Sequence, residues 1–334
     1  MTGRAARPVD EFSIIRELFA PLTEGQRGAF GLGDDVALAD ERLVVTKDVL
    51  IAGVHFRKDD PLDLVARKVL RVNISDLVAK GAKPRSYLLG CVWPQKTNLQ
   101  EIEAFTDGLS KDQHEFRCQL IGGDTVRHRT VAGPLTISAT FLGEAPADGP
   151  ILRDGAVPGD DVYVTGTIGD AGLGLLVLNG KLKNEGDQYT AFTQRYHLPQ
   201  PRVMFGTALA SFASAAMDVS DGLIADAGHL ARQSGVNVML DLAAMPLSDA
   251  AATWLVKQRD EEQARLKLAG FGDDYEILFT ASNAMRRGVE MAAKASRTAV
   301  TRIGKVKKGA GVDVINAEGV RVPVETTGFN HFSE

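Results

Sequence analysis

The chain contains 334 residues, of which 44% are hydrophobic and 24% are charged, with a formal net charge of -5. This length and apolar content are enough for two packed domains of ordinary size. The acidic balance argues against a nucleic-acid or membrane surface, because both depend on clustered basic side chains. The sequence has two cysteines without zinc-site spacing and no uninterrupted apolar run of membrane-spanning length. We therefore expect a soluble cytoplasmic protein.

The first half of the chain is predicted to mix helices and strands. Helical spacing of apolar residues predicts an N-terminal helix that ends before Pro21 and a long helix over 62–80, apolar on most faces and therefore buried. Other apolar and β-branched runs predict strands at 43–46, 49–51, 85–93, 119–121 and 135–141, and a helix at 99–115.

A segment rich in Pro, Gly and Asp at 144–160 is the best candidate for a domain boundary. We place the domains at 1–148 and 149–334. The second half is predicted to contain strands at 161–165, 236–240 and 277–279, a polar loop near 181–190, and helices ending at 178 and over 202–214, 223–233 and 284–296. This mixture favours a mixed α+β fold over a strictly parallel sheet.

Five short aspartate motifs lie at the edges of apolar runs or inside them. They are G-L-G-D-D at 31–35, T-K-D at 46–48, N-I-S-D at 73–76, G-G-D-T at 122–125 and D-V-S-D-G at 218–222. A carboxylate in a low-dielectric environment is unfavourable unless it is paired, hydrogen-bonded or bound to a cation. Since no Lys or Arg stands beside most of these aspartates, we expect a cluster of Mg²⁺ ions and chemistry on phosphate.

Each motif also has an ordinary structural interpretation. Gly and Asp are common in turns, a strand can simply end at T-K-D, and Ser or Asp can cap a helix. Asp76 is harder to explain in this way, because a carboxylate inside a buried helix needs a partner. His55 fits a structural histidine, and Asp273, Asp274 and Glu276 fit a solvated loop. The absence of P-loop, G-x-S-x-G and H-E-x-x-H motifs excludes the corresponding nucleotide-binding and hydrolase mechanisms.

Taken in order, these motifs resemble the thiamine-monophosphate kinase family of the aminoimidazole-ribotide-synthetase-like superfamily. The resemblance covers nearly the whole chain and includes D-E-F-S-I-I (10–15), G-D-D, T-K-D, G-V-H-F (53–56), N-I-S-D-L, G-G-D-T, R-D-G-A-V-P-G-D (153–160), D-V-S-D-G-L, D-Y-E (274–276) and G-F-N-H-F (328–332). Any single motif is weak evidence, whereas their shared order is specific. G-V-H-F and G-F-N-H-F separate this family from its superfamily relatives.

The resemblance implies a kinase that transfers the γ-phosphoryl group of ATP directly to thiamine monophosphate, with Mg²⁺ assistance, in the last step of thiamine diphosphate biosynthesis. It also implies a two-domain fold whose N-terminal sheet pairs with that of a second subunit in a homodimer. The alternatives are a non-catalytic nucleotide-binding paralogue and another ATP-using member of the superfamily.

The resemblance also assigns roles to particular residues. The expected metal ligands are Asp35, Thr46, Lys47, Asp48, Asp76, Asp124, Asp218 and Asp221, of which Asp48, Asp124 and Asp218 are the expected catalytic residues. The expected nucleotide contacts are Gly123, Arg153 and Ser220. The expected thiamine-phosphate contacts are His55, Asp273 and Phe329.

The chain departs from the family pattern at four positions. Lys47 replaces a small hydroxyl residue, so either its side chain contacts phosphate or only its backbone carbonyl serves the metals. Asp273 replaces a glutamate and Phe271 a glycine, which implies a shorter substrate contact. Lys80 stands where methionine is common, and we expect no consequence from that change.

Overall fold

The computed structural model describes residues 11–183, 186–324 and 328, and its strands form two separate mixed sheets. The first sheet contains β1 (Ala37–Leu38), β2 (Leu43–Ile51), β3 (Lys83–Trp93), β4 (Gln119–Arg127) and β5 (Thr136–Glu144). The second contains β6 (Asp161–Thr165), β7 (Ala213–Asp218), β8 (Asn237–Asp241), β9 (Ile277–Ala281), β10 (Val300–Lys307) and β11 (Gly311–Ile315). Their orders are β1-β2-β5-β3-β4 and β11-β8-β10-β6-β9-β7. Parallel pairing at β3–β4 and β8–β11 among antiparallel pairs confirms the predicted mixed fold.

Helices flank both sheets. They are α1 (Glu11–Ile14), α2 (Leu62–Ala79), α3 (Leu99–Phe116), α4 (Asp170–Leu178), α5 (Asp187–His197), α6 (Val203–Leu209), α7 (Leu223–Ser234), α8 (Asp249–Leu255), α9 (Glu261–Ala269) and α10 (Arg286–Ser296). A π-helical turn and a 3₁₀ turn extend α1 to Thr23. Within the described part of the chain, no helix combines the length and the apolar character needed to cross a membrane.

Helix α2 is the element that joins the two halves of the molecule. It is apolar on most faces, and it packs on β2 and β5 of the first sheet and on β7 and β9 of the second. One hydrophobic core therefore includes residues of both halves, such as Leu70 of α2 and Phe279 of β9. Gly81, in the left-handed conformation with φ of 73°, follows the end of the helix and reverses the chain there.

A buried ion pair ties α2 to α3. The Arg71 guanidinium on α2 donates from Nε to Oδ2 of Asp112 on α3 at 2.6 Å, and from Nη1 to the Pro199 carbonyl at 3.0 Å. The Asp112 side chain is fully buried, so it requires this charged partner. Helix α2 therefore carries polar anchors as well as apolar contacts.

Strand β4 forms an open edge of the first sheet. It pairs with β3, and each of its residues is exposed, including the apolar side chains of Leu120, Ile121 and Val126. An edge strand with exposed apolar residues is a template for pairing with another chain.

Several sequence-based boundaries differ from the structure. The runs 43–46 and 49–51 form one strand, because T-K-D continues the alternation of side chains rather than ending it. G-G-D-T lies within β4 and is not a turn. The helix predicted at 202–214 ends at Leu209, and residues 213 and 214 instead begin strand β7, which pairs with β9.

Helices α5, α8 and α9 were not predicted from the sequence. Helix α5 begins at Asp187, within the expected polar loop at 181–190, and α8 and α9 lie between β8 and β9 in the chain. Of the proposed boundary segment 144–160, Glu144 ends β5, and residues 145–160 contain neither helix nor strand and lie between the two sheets in the chain. The domain limits 1–148 and 149–334 remain predictions.

Candidate active site

Carboxylates from distant segments converge where α2 meets the two sheets. Asp35 follows a short helical turn, Asp76 lies on α2 and Asp218 ends β7, and their carboxylate oxygens lie within 4.8 Å of one another. The backbone is responsible for this arrangement, because the buried packing of α2 against β7 brings the halves together at this point. The structure thus unites three of the residues expected to bind metal, one from the second half and two from the first.

Strand alternation orients the T-K-D motif. Successive side chains of a strand face opposite sides, so Thr46 and Asp48 share one face and Lys47 lies on the other. The Thr46 hydroxyl lies 2.7 Å from Oδ2 of Asp76, whereas Lys47 Nζ donates to the Ser138 hydroxyl at 2.5 Å. The Lys47 side chain is therefore held on the opposite face of the sheet from Thr46 and Asp48.

Asp218 connects the second half directly to α2. Its Oδ2 accepts a hydrogen bond of 2.6 Å from the Ser75 hydroxyl, and both residues are buried. Ser75 precedes Asp76 on the helix, so one turn of α2 presents a carboxylate of its own and anchors a second. This hydrogen bond helps to fix the relative position of the two carboxylates across the interface.

The electrostatics of the cluster indicate a shortage of positive charge. Burial, and then repulsion from Asp218, raise the pKa of Asp48 to about 6. Burial, and then repulsion from Asp48 and Asp218, hold the pKa of Asp76 well above its usual value. Burial also raises the pKa of Asp218. A compact set of oxygen donors whose ionised forms repel one another fits a hard divalent cation such as Mg²⁺.

Asp34 and Asp35 differ from the other carboxylates because cations already contact them. Lys80 Nζ lies 2.8 Å from Oδ1 of Asp34 and 2.5 Å from Oδ2 of Asp35. The Arg153 guanidinium pairs with Asp35, and the Arg153 backbone N–H donates to Oδ2 of Asp34. The expectation that Lys80 has no consequence is therefore wrong, since its side chain reaches the site from the end of α2.

Asp221 belongs to a neighbouring group. Its carboxylate lies within 4.8 Å of donor atoms of Asp226 and His229, both on α7. Oδ2 of Asp226 accepts hydrogen bonds of 3.1 Å from the backbone N–H groups of Asp221 and Gly222. Asp226 thus fixes the backbone of the D-V-S-D-G loop.

Backbone hydrogen bonds join the D-V-S-D-G loop to the D-D-Y-E segment at 273–276. The Asp273 N–H donates to the Ser220 carbonyl at 2.9 Å, and the Tyr275 N–H donates to the Val219 carbonyl at 2.8 Å. Asp273 adopts a left-handed conformation with φ of 69°, which is strained for a residue with a side chain. The two motifs therefore form one rigid unit beside the carboxylate cluster.

We expected the segment that contains Asp273 to be a solvated loop, and this expectation is wrong. Asp274 and Glu276 are buried, and Glu276 pairs with the guanidinium groups of Arg195 and Arg202. These cations come from elements that are distant in the sequence, and for this reason the sequence pattern alone suggested exposure.

Two of the three residues expected at the substrate lie within the described chain. Asp273 accepts an ion-pair contact of 2.9 Å from Lys68 Nζ, which lies 4.0 Å from the centre of the Tyr196 ring. Nδ1 of His55 accepts a hydrogen bond from the Ile51 N–H at the end of β2. Phe329 lies outside the described residues.

Gly123 and Asp124 lie on the exposed strand β4. A β-carbon at Gly123 would lie 1.9 Å from the Leu89 carbonyl oxygen on β3, so only glycine fits this position. The Asp124 carboxylate accepts a hydrogen bond from the Thr125 N–H and faces solvent. Among the described residues, Asp124 is not in either of the two carboxylate groups.

Comparison with known proteins identifies the family. The family model described as AIR synthase related protein, N-terminal domain, matches residues 33–145, and its C-terminal counterpart matches 157–315. The thiamine-monophosphate kinase of Caulobacter vibrioides is 46% identical over 92% of this chain and 87% of its own length. That of Salmonella typhimurium is 38% identical over 97% of this chain and 98% of its own. This chain belongs to the thiamine-monophosphate kinase family.

Solved structures agree with membership of the thiamine-monophosphate kinase family. The structure described as AaThiL complexed with AMPPCP and TMP matches with a TM-score of 0.84 at 30% identity, over 99% of this chain and 100% of that chain. The enzyme of Stenotrophomonas maltophilia matches with a TM-score of 0.74 at 35% identity, over 93% and 98% of the two chains. Hydrogenase maturation protein HypE of E. coli, at 18% identity, shares the fold alone. The predicted family, two-domain fold and kinase class are confirmed, and neither a paralogue without activity nor another superfamily member is favoured.

Sequence reasoning missed several residues at this kinase-family site. Lys68 and Ser75 are buried polar residues on the largely apolar helix α2. Asp226 lies in α7, four residues after the glycine that precedes the helix. The argument that pointed to Asp76 could also have pointed to Lys68 and Ser75, since a polar side chain on a buried helix needs a partner.

The raised pKa of Asp48 predicts pH-dependent stability of the metal-free protein. Between about pH 4 and about pH 6, folded Asp48 holds a proton that the unfolded chain has lost, so stability falls as the pH rises through this window. Asp48→Asn removes this titration. In EDTA, the unfolding free energy of the wild type should fall by about 1–3 kcal/mol relative to the variant between about pH 4 and pH 6.5, as measured by urea unfolding. Exposed Asp249→Asn is the control, and a wild-type-to-Asp48→Asn difference that is flat with pH would contradict the prediction.

Proposed function

We propose that this chain transfers the γ-phosphoryl group of ATP to thiamine monophosphate, which gives thiamine diphosphate and ADP. The observation that carries the proposal is the convergence of Asp35, Asp76 and Asp218 from both halves of the chain into one group of oxygen donors. The names of the curated relatives, and the AMPPCP and TMP bound in AaThiL, identify the two reactants for those proteins. Both reactants carry phosphates, and they therefore fit a site where bound cations would neutralise the carboxylates and the phosphates together.

The donor set is suited to several Mg²⁺ ions. Asp35, Asp48, Asp76 and Asp218, together with the Thr46 hydroxyl, would hold them, and all these donors are oxygens, the ligand type that Mg²⁺ prefers. When bound, the ions supply charge neutralisation for phosphate oxygens. Asp124 and Asp221 would complete the ligand set from β4 and the D-V-S-D-G loop.

The contribution of the chain itself is positioning. Two anionic phosphates repel each other, so transfer requires that they be held in line at short distance rather than that a side chain attack. Gly123 lets the backbone of β4 approach a nucleotide closely, and Arg153 and Ser220 provide further contacts. His55, Asp273 and Phe329 would hold the thiamine phosphate, with Asp273 fixed in place by Lys68.

A direct assay tests the proposed reaction. Purified protein with ATP, Mg²⁺ and thiamine monophosphate should form thiamine diphosphate, detected by chromatography, and EDTA should abolish formation. Thiamine without its phosphate is the control acceptor, and we expect no product from it because it lacks the group that attacks. Absence of thiamine diphosphate, or product from thiamine alone, would refute the assignment. Rapid quench with γ-labelled ATP should find no phosphorylated protein, since transfer is direct.

Asp124→Asn tests the metal role of β4. Because the Asp124 side chain is exposed and remote from the core, the variant should keep its unfolding free energy to within about 0.5 kcal/mol. Its kcat should fall by about 100-fold or more, because a neutral amide cannot balance the charge of the ions. Asp249→Asn, an exposed aspartate on α8, should keep full activity. An active Asp124→Asn enzyme would remove this residue from the ligand set.

We also infer that the protein is a cytoplasmic homodimer. The exposed edge of β4, with Leu120, Ile121 and Val126, is the surface that supports this inference, because pairing with a second β4 would satisfy its backbone and cover its apolar side chains. Cys91 and Cys118 are buried and free, as expected in a reducing compartment.

Ile121→Asp tests the dimer. The Ile121 side chain is 62% exposed in the single chain, so a charge there should leave the monomer folded and weaken association at least tenfold, because the charge would be buried in the dimer. Light scattering coupled to size-exclusion chromatography measures the mass. Val256→Asp, which changes an apolar residue of 69% exposure beyond α8, is the matched control and should remain dimeric. A wild-type monomer at micromolar concentration would contradict the inference.

A further inference from the structure

Lys80 is a fully buried cation at the end of α2. Its side chain is 0% exposed, and Nζ lies near three acceptors: Oδ1 of Asp34 at 2.8 Å, Oδ2 of Asp35 at 2.5 Å and the Ala216 carbonyl oxygen at 2.6 Å. A lysine ammonium has three N–H donors and no acceptor. Lys80 therefore donates one hydrogen bond to a backbone carbonyl and forms ion pairs with two carboxylates, so that negative charge surrounds its ammonium.

The three acceptors belong to segments that form the active site. Asp34 and Asp35 lie in the G-D-D loop of the first half, whereas Ala216 lies on β7, two residues before Asp218. The ammonium thus connects the end of α2, the G-D-D loop and the strand that delivers the carboxylate of the second half. A divalent ion bound to carboxylates from different segments would connect them in a similar way.

The charge around Asp35 is already balanced. Lys80 contacts Oδ2, and the Arg153 guanidinium contacts both carboxylate oxygens, so this carboxylate lies between two cations. A divalent ion placed between Asp34 and Asp35 would be repelled by an ammonium that cannot move into solvent, whereas the group formed by Asp35, Asp76 and Asp218 remains for Mg²⁺. Without the ammonium, Asp34 and Asp35 would be two adjacent buried carboxylates with one guanidinium, and a further cation would be needed.

We propose that the Lys80 ammonium is a resident cation of the carboxylate cluster, which takes the place of one divalent ion at Asp34 and Asp35 and holds the two halves together before metal binds. This inference rests on the proposed metal-dependent function. It assigns Lys80 a positioning role, since its contacts are with the ligand Asp35 and with the backbone of β7. Its consequence is that the interface between the halves depends less on metal than it would with a neutral residue at position 80.

The test compares metal-dependent stability in full-length variants. Lys80→Met removes the charge with an unbranched apolar side chain, and Lys80→Gln keeps an amide donor for the Ala216 carbonyl. In EDTA, both variants should unfold at a temperature lower than the wild type by about 5 °C or more, and millimolar Mg²⁺ should recover most of the difference. The control is Arg71→Met, which removes another buried cation from the same helix and should be destabilised equally in EDTA and in Mg²⁺.

A count of bound ions gives a second measurement, which does not depend on turnover. With AMPPCP present, Mn²⁺ titration followed by the EPR signal of free Mn²⁺ should give one more bound ion per chain in Lys80→Met and Lys80→Gln than in the wild type. If Lys80→Met does not fold, Lys80→Gln carries both measurements. Equal destabilisation with and without Mg²⁺, as for Arg71→Met, or an unchanged number of Mn²⁺ ions, would overturn the inference. If either of these results is found and the wild-type protein makes thiamine diphosphate, the inference about Lys80 is wrong and the proposed function stands. If the wild-type protein makes no thiamine diphosphate, the proposed function itself is wrong.

Discussion

Repulsion among carboxylates buried between the two halves is the constraint on which the rest of this structure depends. Burial raises the pKa values of Asp48, Asp76 and Asp218, and repulsion from neighbouring carboxylates raises those of Asp48 and Asp76 further. Such an arrangement persists only if the surrounding packing holds it, and that packing is supplied by a helix buried on nearly all sides. Binding of cations relieves the unfavourable ionisation of these carboxylates, and the bound cations can in turn bind phosphate.

Helix α2 performs three tasks with one sequence. Its apolar side chains join the cores of both halves, its polar residues Ser75 and Asp76 contribute to the carboxylate cluster, and Lys68 pairs with Asp273 of the second half. The residue that follows it, Lys80, adds a cation. A buried helix with so many polar residues would be unstable in isolation, and each is accommodated because a partner from another element meets it.

The sequence was sufficient where local patterns carry the information. The apolar character of 62–80 and the alternation in 135–141 predicted a buried helix and a half-buried strand, and the order of the aspartate motifs predicted the kinase family. It was insufficient where the deciding partner is remote. Burial of Glu276 depends on Arg195 and Arg202, and the importance of Lys80 depends on Asp34 and Asp35, which lie 45 or more residues away.

The packing of α2 also bears on how such a chain can be assembled from parts. Two family models match separate segments, and a linker without helix or strand lies between them, so the halves look like exchangeable modules. The Ser75 to Asp218 and Lys80 to Ala216 hydrogen bonds cross that boundary at the centre of the site. In a hybrid of two relatives joined at the linker, each half would keep its fold. The contacts between the halves at the centre of the site would, however, join residues from different proteins. Such a hybrid should therefore keep the geometry of the site only when residue 80, the G-D-D loop and strand β7 are all taken from the same relative.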